Sequence, residues 1–524
     1  MSEYIEKDFL CNNTDTVVTT ASGRIKGYRF NGINTFLGVP YARADRFHAP
    51  VAVEPWSDIR DALGYGWTAP LLTQKTPWQN IINPNRQYPQ SEDCQNLNIW
   101  TPTLEKRAHK PVVVWLHGGG FASGSSVELL AYDGTNMAKY GDVVCVSVNH
   151  RLNVFGYLDL SSFSDRYENS GNCGHADLVA ALEWIRDNIA CFGGDPHCVT
   201  VIGQSGGGGK VSTLMQIPAA NGLFSRAVIM SGAAIQQRAP RRDREIVLGV
   251  LDELSLTPND IDQLCSVAAS SLIRAVRKTV DRLYPQSPGN PKSMITQMIW
   301  EPTANDWFLG EPVIHGFSEH ARQIPVLVGT VLGEFSIRAA MSNKKSAGKT
   351  AKYEYLRRIY GSHTDELVSL FRQAYPERDY VDLAATDSTF RALTIAYCDR
   401  RAAECSAPTF AYLNNTEMPL DDGIPLWHCG DIDFFFHNTE YSPLHQIPGV
   451  TSRLEEEIFG AFMQFVRTGN PNKAGTTLPQ WPSYTQSQPY TMLFSAESRV
   501  RQNHDRALIA GIDRYRTVFS PVDF

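Results

Sequence analysis

The sequence predicts an α/β fold, with a large, mostly parallel central sheet that helices cover on both faces. Short apolar runs rich in Val and Ile alternate along the chain with turns and with segments of helical periodicity. This alternation is typical of parallel sheets, because each connection between parallel strands must cross a face of the sheet. The predicted strands are residues 111–120, which run into a glycine loop, and residues 142–151, 198–203, 227–232, 325–330 and 410–414.

Helices are predicted between these strands. Residues 175–192 carry apolar side chains at helical spacing, which form one apolar face. These side chains are Leu178, Leu182, Ile185 and Ile189. Residues 209–216 follow the third strand without a helix breaker and are predicted to be helical. We expect residues 1–524 to form a single domain, in which the segments at about 235–320 and 337–400 are mostly helical or irregular insertions that cap the sheet and shape a pocket.

Composition and charge indicate a folded cytoplasmic protein. The chain is 43% apolar and 20% charged. Its net charge is −7 and its basic residues are scattered along the sequence, so we expect no nucleic-acid partner. The N-terminal MSEYIEKDFLCNN lacks the apolar stretch of a secretory signal. The longest apolar runs reach about a quarter of a membrane span, so no membrane association is expected. The ten cysteines contain no CxxC pair, which is typical of thiols in a reducing compartment.

The stretch IGQSGGGGK, residues 202–210, allows two interpretations. A phosphate-binding P-loop requires a glycine five positions before the Gly-Lys pair and a hydroxyl residue after it. Gln204 and Val211 occupy those positions, so the phosphate site is excluded. The alternative is a nucleophile elbow, G-x-S-x-G, in which a strand, a sharp turn and a helix lift the Ser205 hydroxyl clear of the sheet. Gly203 and Gly207 leave room there for the helix to pack back on the strand, and the amide of Gly206 points at a developing oxyanion.

A second motif, His117-Gly118-Gly119-Gly120-Phe121, directly follows a predicted strand. It is typical of the oxyanion loop of acyl-transfer enzymes, because glycines let backbone N–H groups approach an anion without side-chain interference. Two independent acyl-transfer motifs at the ends of two strands predict a serine hydrolase.

A serine nucleophile needs an imidazole to take its proton and a carboxylate to orient that imidazole, in the chain order Ser, acid, His. His428 and His437 are the leading histidines after Ser205. Glu334 follows the predicted strand at 325–330, but Asp306 and Asp399 are rivals that the chemistry alone leaves open.

The chain resembles the type-B carboxylesterases, the family that includes the cholinesterases, almost from end to end. The similar segments are SGRIKGYRFNGINTFLGVPYA (22–42), SEDCQNLNIWTP (91–102), NHRLNVFGYL, SGNCGHADLVAALEWIRDNIACFGGDPHCVTV, GQSGGG, FMQFVRTGNPN and LPQWPSY. The resemblance implies the α/β-hydrolase fold, with Ser205, Glu334 and His428 as a catalytic triad. It also implies that Gly119, Gly120 and Gly206 are the oxyanion donors, and that an acidic residue follows His428 a few positions on. No cofactor is expected, and the HxxxH and CxxC spacings of a zinc site are absent.

The departures from the family pattern narrow the range of substrates that the sequence predicts. Where the family usually has Glu before the nucleophile and Ala after it, this chain has Gln204 and Gly206. Ile82 replaces the tryptophan with which cholinesterases hold a quaternary ammonium group, so choline esters are not expected. Cys94 matches a half-cystine of secreted members, but its expected partner is missing, which favours an intracellular protein.

We therefore predict a serine carboxylic-ester hydrolase that works through an acyl-enzyme, with water and small to medium apolar or aromatic esters as substrates. The predicted pocket residues are Gln204, Phe121, Ile82, Trp307, Phe434 and Phe435. A carbamate or amide hydrolase and an acyltransferase would use the same residues. A non-catalytic, cholinesterase-like interaction protein is a further alternative, against which the presence of all three triad residues argues. The sequence indicates no oligomeric state.

Overall fold

The structure, a computed structural model, describes residues 8–72, 85–233, 240–284 and 299–515, with the backbone alone at 240–242. The described residues divide into two compact units. The first unit contains the described residues up to 227, those of 240–284 and those of 299–310, and the second contains residues 228–233 and 311–515. The prediction that the chain is a single domain with cap insertions stays a prediction.

The first unit contains a sheet in the strand order β1-β4-β5-β7-β9-β8-β10 and a small sheet in the order β2-β3-β6. Its strands are β1 Phe9–Leu10, β2 Val17–Thr19, β3 Arg24–Lys26, β4 Tyr28–Phe30, β5 Ile33–Pro40, β6 Ile59–Asp61, β7 Asn96–Thr101, β8 Lys110–Leu116, β9 Val144–Val148 and β10 Gly194–Gln204. Strands β9, β8 and β10 are parallel, with Val114 opposite Val146 on one side and Val201 on the other. The outer strands β1, β4, β5 and β7 pair antiparallel.

The helices of the first unit connect these strands. They are α1 Thr135–Gly141, α2 Asn153–Tyr157, α3 Cys173–Asn188, α4 Gly206–Leu214, α5 Pro240–Glu253 and α6 Ala269–Leu283. On α6, the buried positions Leu272, Ala275, Val276, Thr279 and Val280 recur every three or four residues. This spacing is that of a helix with one apolar face, and the polar residues between them lie outward.

The second unit contains the strand order β11-β12-β13-β16-β17 and the hairpin β14-β15. Its strands are β11 Arg226–Met230, which begins in the first unit, β12 Val326–Val331, β13 Thr409–Asn414, β14 Glu417–Met418, β15 Ile424–Pro425, β16 Tyr490–Phe494 and β17 Arg499–Gln502. Its helices are α7 Pro312–His315, α8 Lys349–Tyr360, α9 Thr364–Ala374, α10 Thr389–Glu404, α11 Ile432–Phe436, α12 Thr451–Thr468 and α13 Arg506–Tyr515. Strands β12, β13 and β16 are parallel, and β17 closes the edge antiparallel.

The predicted α/β architecture is confirmed, and each predicted strand is observed within a few residues of its expected bounds. The two predicted helices correspond to α3 and α4, of which α4 begins at Gly206, three residues earlier than expected. Buried parallel strands favour side chains that are apolar on both faces, and β8 supplies them with the run Val112, Val113 and Val114, whereas β9 combines three valines with Cys145 and the buried Ser147.

A buried ion pair between Arg151 and Asp177 joins three segments of the first unit. The Arg151 guanidinium donates to both Asp177 carboxylate oxygens, at 2.9 Å from Nε and 2.7 Å from Nη2. Nη1 also donates to the backbone carbonyls of Asp45 and His48, at 3.0 and 2.9 Å. The pair therefore joins the end of β9, helix α3 and an N-terminal loop through hydrogen bonds that satisfy both charges.

Removing one partner would leave a buried charge without compensation. We expect Asp177→Ala to lower the free energy of unfolding by about 3–5 kcal/mol, because the Arg151 guanidinium is only 2% exposed. The measurement is urea unfolding followed by circular dichroism. The matched control is Asp187→Ala, which breaks a pair with Arg186 whose side chains are 50% and 52% exposed, and should cost less than about 1 kcal/mol. Equal losses in the two variants would contradict this account.

Candidate active site

Ser205 occupies the tip of the predicted elbow. Strand β10 ends at Gln204 and helix α4 begins at Gly206, so the single residue Ser205 makes the turn. Its backbone has φ 57° and ψ −126°, a region that L-residues with a side chain rarely adopt. The turn is held from the helix side, where Gly209 N donates to Ser205 O at 3.0 Å. Ser205 itself is half-buried, whereas residues 199–204 of the strand below it are buried.

The glycines around Ser205 are required by close backbone contacts. A Cβ on Gly203 would lie 2.3 Å from the carbonyl of Gly207, and a Cβ on Gly207 would lie 2.0 Å from Leu116 O. A Cβ on Gly206 would lie 2.1 Å from Gly120 O. The alanine that the family usually has after the nucleophile therefore does not fit at 206 unless the loop at Gly120 moves.

The oxyanion loop follows β8, as predicted, and lies against the elbow. Gly119 and Gly120 have φ of 94° and 63°, which favours glycine at both positions. Gly119 O accepts from Ser123 N at 3.0 Å, which closes the loop. A Cβ on Gly118 would lie 3.4 Å from Ser205 Cβ, so the loop and the nucleophile are in van der Waals proximity. The structure thus brings together Ser205, Gly206 and the glycines of the loop.

In the second unit, Glu334 pairs with His428. The residues are 94 positions apart, and the short contact joins Glu334 Oε2 to His428 Nδ1. Glu334 Oε1 accepts from Ser231 Oγ at 2.6 Å and from Val331 N at 3.0 Å. Glu334 is fully buried and His428 is 8% exposed. Because the carboxylate accepts from Nδ1, the neutral imidazole carries its proton there, and Nε2 is the nitrogen that can take up another.

The backbone and two aromatic rings fix this imidazole. His428 N donates to Glu334 O at 3.3 Å. The Phe335 ring lies 4.2 Å from the imidazole centroid, and the Phe390 ring lies 5.1 Å from it. Glu334 itself has φ 41° and ψ −129°, close to the backbone conformation of Ser205.

Asp431 is the acidic residue expected after His428, and it lies behind the pair. It is fully buried, and Tyr412 Oη donates to its Oδ2 at 2.8 Å. Burial, together with the charge of Glu334, raises the pKa of Asp431 to about 7. Two buried carboxyl groups therefore lie near His428, and the one that the imidazole contacts is Glu334.

The other candidates for the base and the acid have different partners or are exposed. His437 is 3.2 Å from Glu456 and 3.8 Å from Glu455. Asp399 accepts from Tyr484 Oη at 2.7 Å and from Arg506 Nη1 at 2.9 Å. Asp306 is exposed.

The predicted pocket residues are mostly buried. Phe121 is 3% exposed and packs on Tyr157 and His175, with ring centroids 5.4 and 5.7 Å away. Gln204 and Phe434 are fully buried, Phe435 is 2% exposed, and Trp307 is half-buried. Ile82 lies outside the described residues. The packing of Phe121 and Phe435 is that of core residues, and the role of all six in a pocket stays a prediction.

The sequence pattern missed Ser231, which orients Glu334. Ser231 directly follows β11 and has φ 46°. The available signal was a hydroxyl residue at the carboxyl end of a buried strand, which is where parallel sheets place functional groups.

The described ranges contain no group of three His, Cys, Asp or Glu side chains arranged to hold a metal ion. None of their helices combines the length and the hydropathy that a membrane span requires.

Known proteins resemble this chain over nearly its whole length. The sequence model of the carboxylesterase family matches residues 14–509. The para-nitrobenzyl esterase of Bacillus subtilis is 31% identical over 500 residues, which cover 94% of this chain and 97% of that protein. Human carboxylesterase 3 is 29% identical over 522 residues, which cover 90% of this chain and 86% of that protein.

Solved structures of esterases superimpose on nearly the whole chain. An esterase of Clostridium hathewayi, described as able to hydrolyse aliphatic aromatic polyesters, is 42% identical and superimposes with a TM-score of 0.90 over 97% of this chain and 100% of its own. A para-nitrobenzyl esterase structure is 29% identical, with a TM-score of 0.75 over 95% of this chain and 100% of its own. The predicted α/β-hydrolase fold is confirmed.

The elbow depends on the missing side chain at Gly207. We expect Gly207→Ala to lower the free energy of unfolding by at least about 1–3 kcal/mol, because its Cβ would overlap the backbone of β8. The measurement is thermal and urea unfolding. Gly460→Ala in α12 is the matched control, because a Cβ there meets no atom within 4 Å and should stabilise the helix by up to about 1 kcal/mol. A neutral Gly207→Ala variant would show that the turn is not tightly packed.

The raised pKa of Asp431 predicts a pH-dependent stability. The folded protein keeps the proton up to about pH 7, whereas the unfolded chain releases it near the ordinary aspartate pKa of about 4. Between these values the folded state binds more protons, so the free energy of unfolding falls as pH rises. Asn cannot ionise and can still accept from Tyr412, so Asp431→Asn should be more stable than the wild type at pH 8, by up to about 4 kcal/mol, and by less at pH 5.

Urea unfolding at the two pH values measures this difference. Asp421→Asn, at an exposed carboxylate, is the matched control and should change little at either pH. If Asp431→Asn and the wild type changed in parallel between pH 5 and pH 8, the neutral, buried state of Asp431 would be refuted.

Proposed function

Because this chain belongs to the carboxylesterase family and is therefore a carboxylic-ester hydrolase, we propose that Ser205 is its nucleophile, His428 its general base and Glu334 the carboxylate that orients His428. The observation that carries this assignment is the buried contact between Glu334 and His428 Nδ1. It fixes the tautomer that a general base needs. The rival carboxylate Asp399 has its charge balanced by Arg506 instead.

In the proposed reaction, Ser205 Oγ attacks the ester carbonyl carbon while His428 Nε2 takes the hydroxyl proton. The carbonyl oxygen becomes an oxyanion, which accepts from the amides of Gly119, Gly120 and Gly206. These amides are suited to the task because residues 118–120 and 206–209 are glycines whose backbone is held by close contacts, so it need not reorganise as charge develops.

The second half of the reaction reuses the same groups. Protonated His428 gives its proton to the leaving alcohol, and the acyl group stays on Ser205. The imidazole then removes a proton from water, which attacks the acyl-enzyme and releases the acid. Glu334 remains ionised throughout and stabilises the imidazolium, a role supported by the donors Ser231 and Val331 that hold its other oxygen.

We propose small to medium apolar or aromatic esters as substrates. The aromatic rings of Phe335 and Phe390 beside His428 favour such groups over charged ones. The relatives named for para-nitrobenzyl esters and for aliphatic aromatic polyesters support the same class. Gln204 in place of the usual Glu removes a negative charge beside the nucleophile, which leaves little to attract a cationic choline ester.

We also propose a cytoplasmic location. All ten cysteines are thiols in the structure, and Cys94, which matches a half-cystine of secreted members, is fully buried. Burial of this kind raises a thiol's pKa and makes it unreactive, as in a structural core cysteine.

The nucleophile is tested by covalent labelling. A fluorophosphonate should modify Ser205, and Ser205→Ala should abolish labelling and lower kcat for p-nitrophenyl butyrate on the order of 10⁶-fold. Peptide mass spectrometry locates the label. Ser212→Ala is the matched control, because Ser212 is a buried serine of the same helix and should leave both readouts unchanged.

Two outcomes would overturn the proposal. One is a label on another residue, and the other is a folded Ser205→Ala variant that still hydrolyses the ester at the wild-type rate. Comparing p-nitrophenyl esters with the matching anilides tests the bond that is cleaved, and faster anilide cleavage would replace the esterase with an amidase.

A further inference from the structure

Lys210 is a buried cation close to the nucleophile that the proposed reaction does not use. It lies five residues after Ser205, on helix α4, and is fully buried. Its Nζ donates to the backbone carbonyl of His117 at 2.8 Å. His117 is the first residue of the oxyanion loop, so the ammonium contacts the loop directly.

Two hydrogen bonds hold the segment between β8 and the proposed oxyanion donor Gly119. Lys210 Nζ donates to the His117 carbonyl, whose peptide group carries the N–H of Gly118, and separately the His117 ring Nδ1 donates to Gly118 O at 2.8 Å. That Gly118 carbonyl shares its peptide group with the N–H of Gly119. A donor on the oxygen of a peptide group polarises its N–H, because hydrogen bonds in series strengthen one another at low dielectric.

The surroundings of Lys210 leave its charge largely uncompensated. The titratable side chains around it are Glu128 and the imidazoles of His117, His150 and His175, all buried. The rings of His117 and His150 lie 5.4 Å apart. Burial, reinforced by the charge of Lys210, lowers the pKa of His175 to about 3 and that of His150 well below its ordinary value, so both rings are neutral.

We propose that Lys210 is a positioning residue of the oxyanion hole: it holds the segment from His117 to Gly119 in place, and its positive charge stabilises the oxyanion through that segment. This inference rests on the proposed function of Ser205. It assigns to the cation a role in transition-state stabilisation that is separate from substrate binding. An ammonium in a site without solvent acts over a longer distance than it would in water.

The proposal has a pH signature. Burial, opposed in part by Glu128, lowers the pKa of Lys210 to about 7. As pH rises through this value the ammonium becomes a neutral amine, so oxyanion stabilisation should weaken on the alkaline side. General-base catalysis by His428 has the opposite dependence, because its imidazole must be unprotonated.

Lys210→Met and Lys210→Gln separate the charge from the hydrogen bond. Met removes both, whereas Gln can still donate to the His117 carbonyl without a charge. For Lys210→Met at pH 6.5 we expect kcat for p-nitrophenyl butyrate to fall about 10- to 100-fold, with KM changed less than about threefold. The affinity for an alkyl trifluoromethyl ketone, which forms a tetrahedral oxyanion on serine, should fall by the same factor as kcat/KM.

The pH profile distinguishes an electrostatic role from a structural one. The deficit of Lys210→Met should shrink towards pH 9, where the wild type loses its ammonium, and the alkaline decline should disappear from both variants. Lys210→Gln should recover part of kcat but show no alkaline decline. Both variants should unfold at a temperature equal to or above that of the wild type. Burial removes the hydration of an ammonium group, which destabilises the fold, and neither Met nor Gln carries that charge.

Lys344→Met is the matched control. Lys344 is also a buried lysine, with a side chain 4% exposed, but it pairs with Asp382 at 2.8 Å in the second unit. Its loss should lower the unfolding temperature while leaving kcat, ketone affinity and the pH profile unchanged below that temperature.

A folded Lys210→Met variant with wild-type kcat, ketone affinity and pH profile would overturn the proposal. If the Lys210 variants fail to fold, the test is the affinity of the wild-type protein for the ketone at pH 6.5 and pH 9. The affinity should weaken as pH rises, and a constant affinity would overturn the inference. Failure of the proposed function gives a different result: the wild type itself would neither hydrolyse the ester nor be labelled at Ser205.

Discussion

Two strained backbone positions are the constraint on which the proposed catalytic groups depend. Ser205 and Glu334 both combine positive φ with ψ near −130°, and neither is a glycine. Such conformations cost about 1–3 kcal/mol each and persist only where the surrounding structure leaves no alternative. At Ser205 the close contacts of Gly203 and Gly207 supply that restraint, and at Glu334 the parallel bridge to Trp427 does so. Ser205 directly follows β10, and Glu334 lies three residues after the end of β12.

The burial of Glu334 and Asp431 determines the electrostatics around His428. A fully buried Glu334 needs donors on both oxygens, and Ser231, Val331 and His428 provide them. Burial, together with the charge of the nearby Glu334, raises the pKa of Asp431 to about 7, so Asp431 carries its proton below neutral pH. Asp431 is thereby kept largely neutral beside Glu334.

The parts of the site that could be predicted from the sequence are local ones. The elbow at Ser205 and the loop at Gly119 each depend on glycines within a few positions of a buried strand, and both patterns are visible in a short window. The pairing of Glu334 with His428 spans 94 positions, and residue chemistry alone left Asp399 and His437 open; the family resemblance resolved it. The roles of Ser231 and Lys210 were not predicted, because the groups that they contact, on Glu334 and His117, lie 103 and 93 positions away in the chain. The short strands of the first unit, such as β2 and β3 with three residues each, are too brief to show a period.

The central claim is that the strained serine and the ring of bare amides together bind an oxyanion. A crystal structure of the wild-type protein with an alkyl trifluoromethyl ketone tests it most directly. The account predicts a covalent bond from Ser205 Oγ to the ketone carbon, the former carbonyl oxygen within hydrogen-bond distance of the Gly119, Gly120 and Gly206 amides, and His428 Nε2 next to Ser205 Oγ. An adduct on another residue, or an adduct oxygen turned away from all three amides, would contradict it.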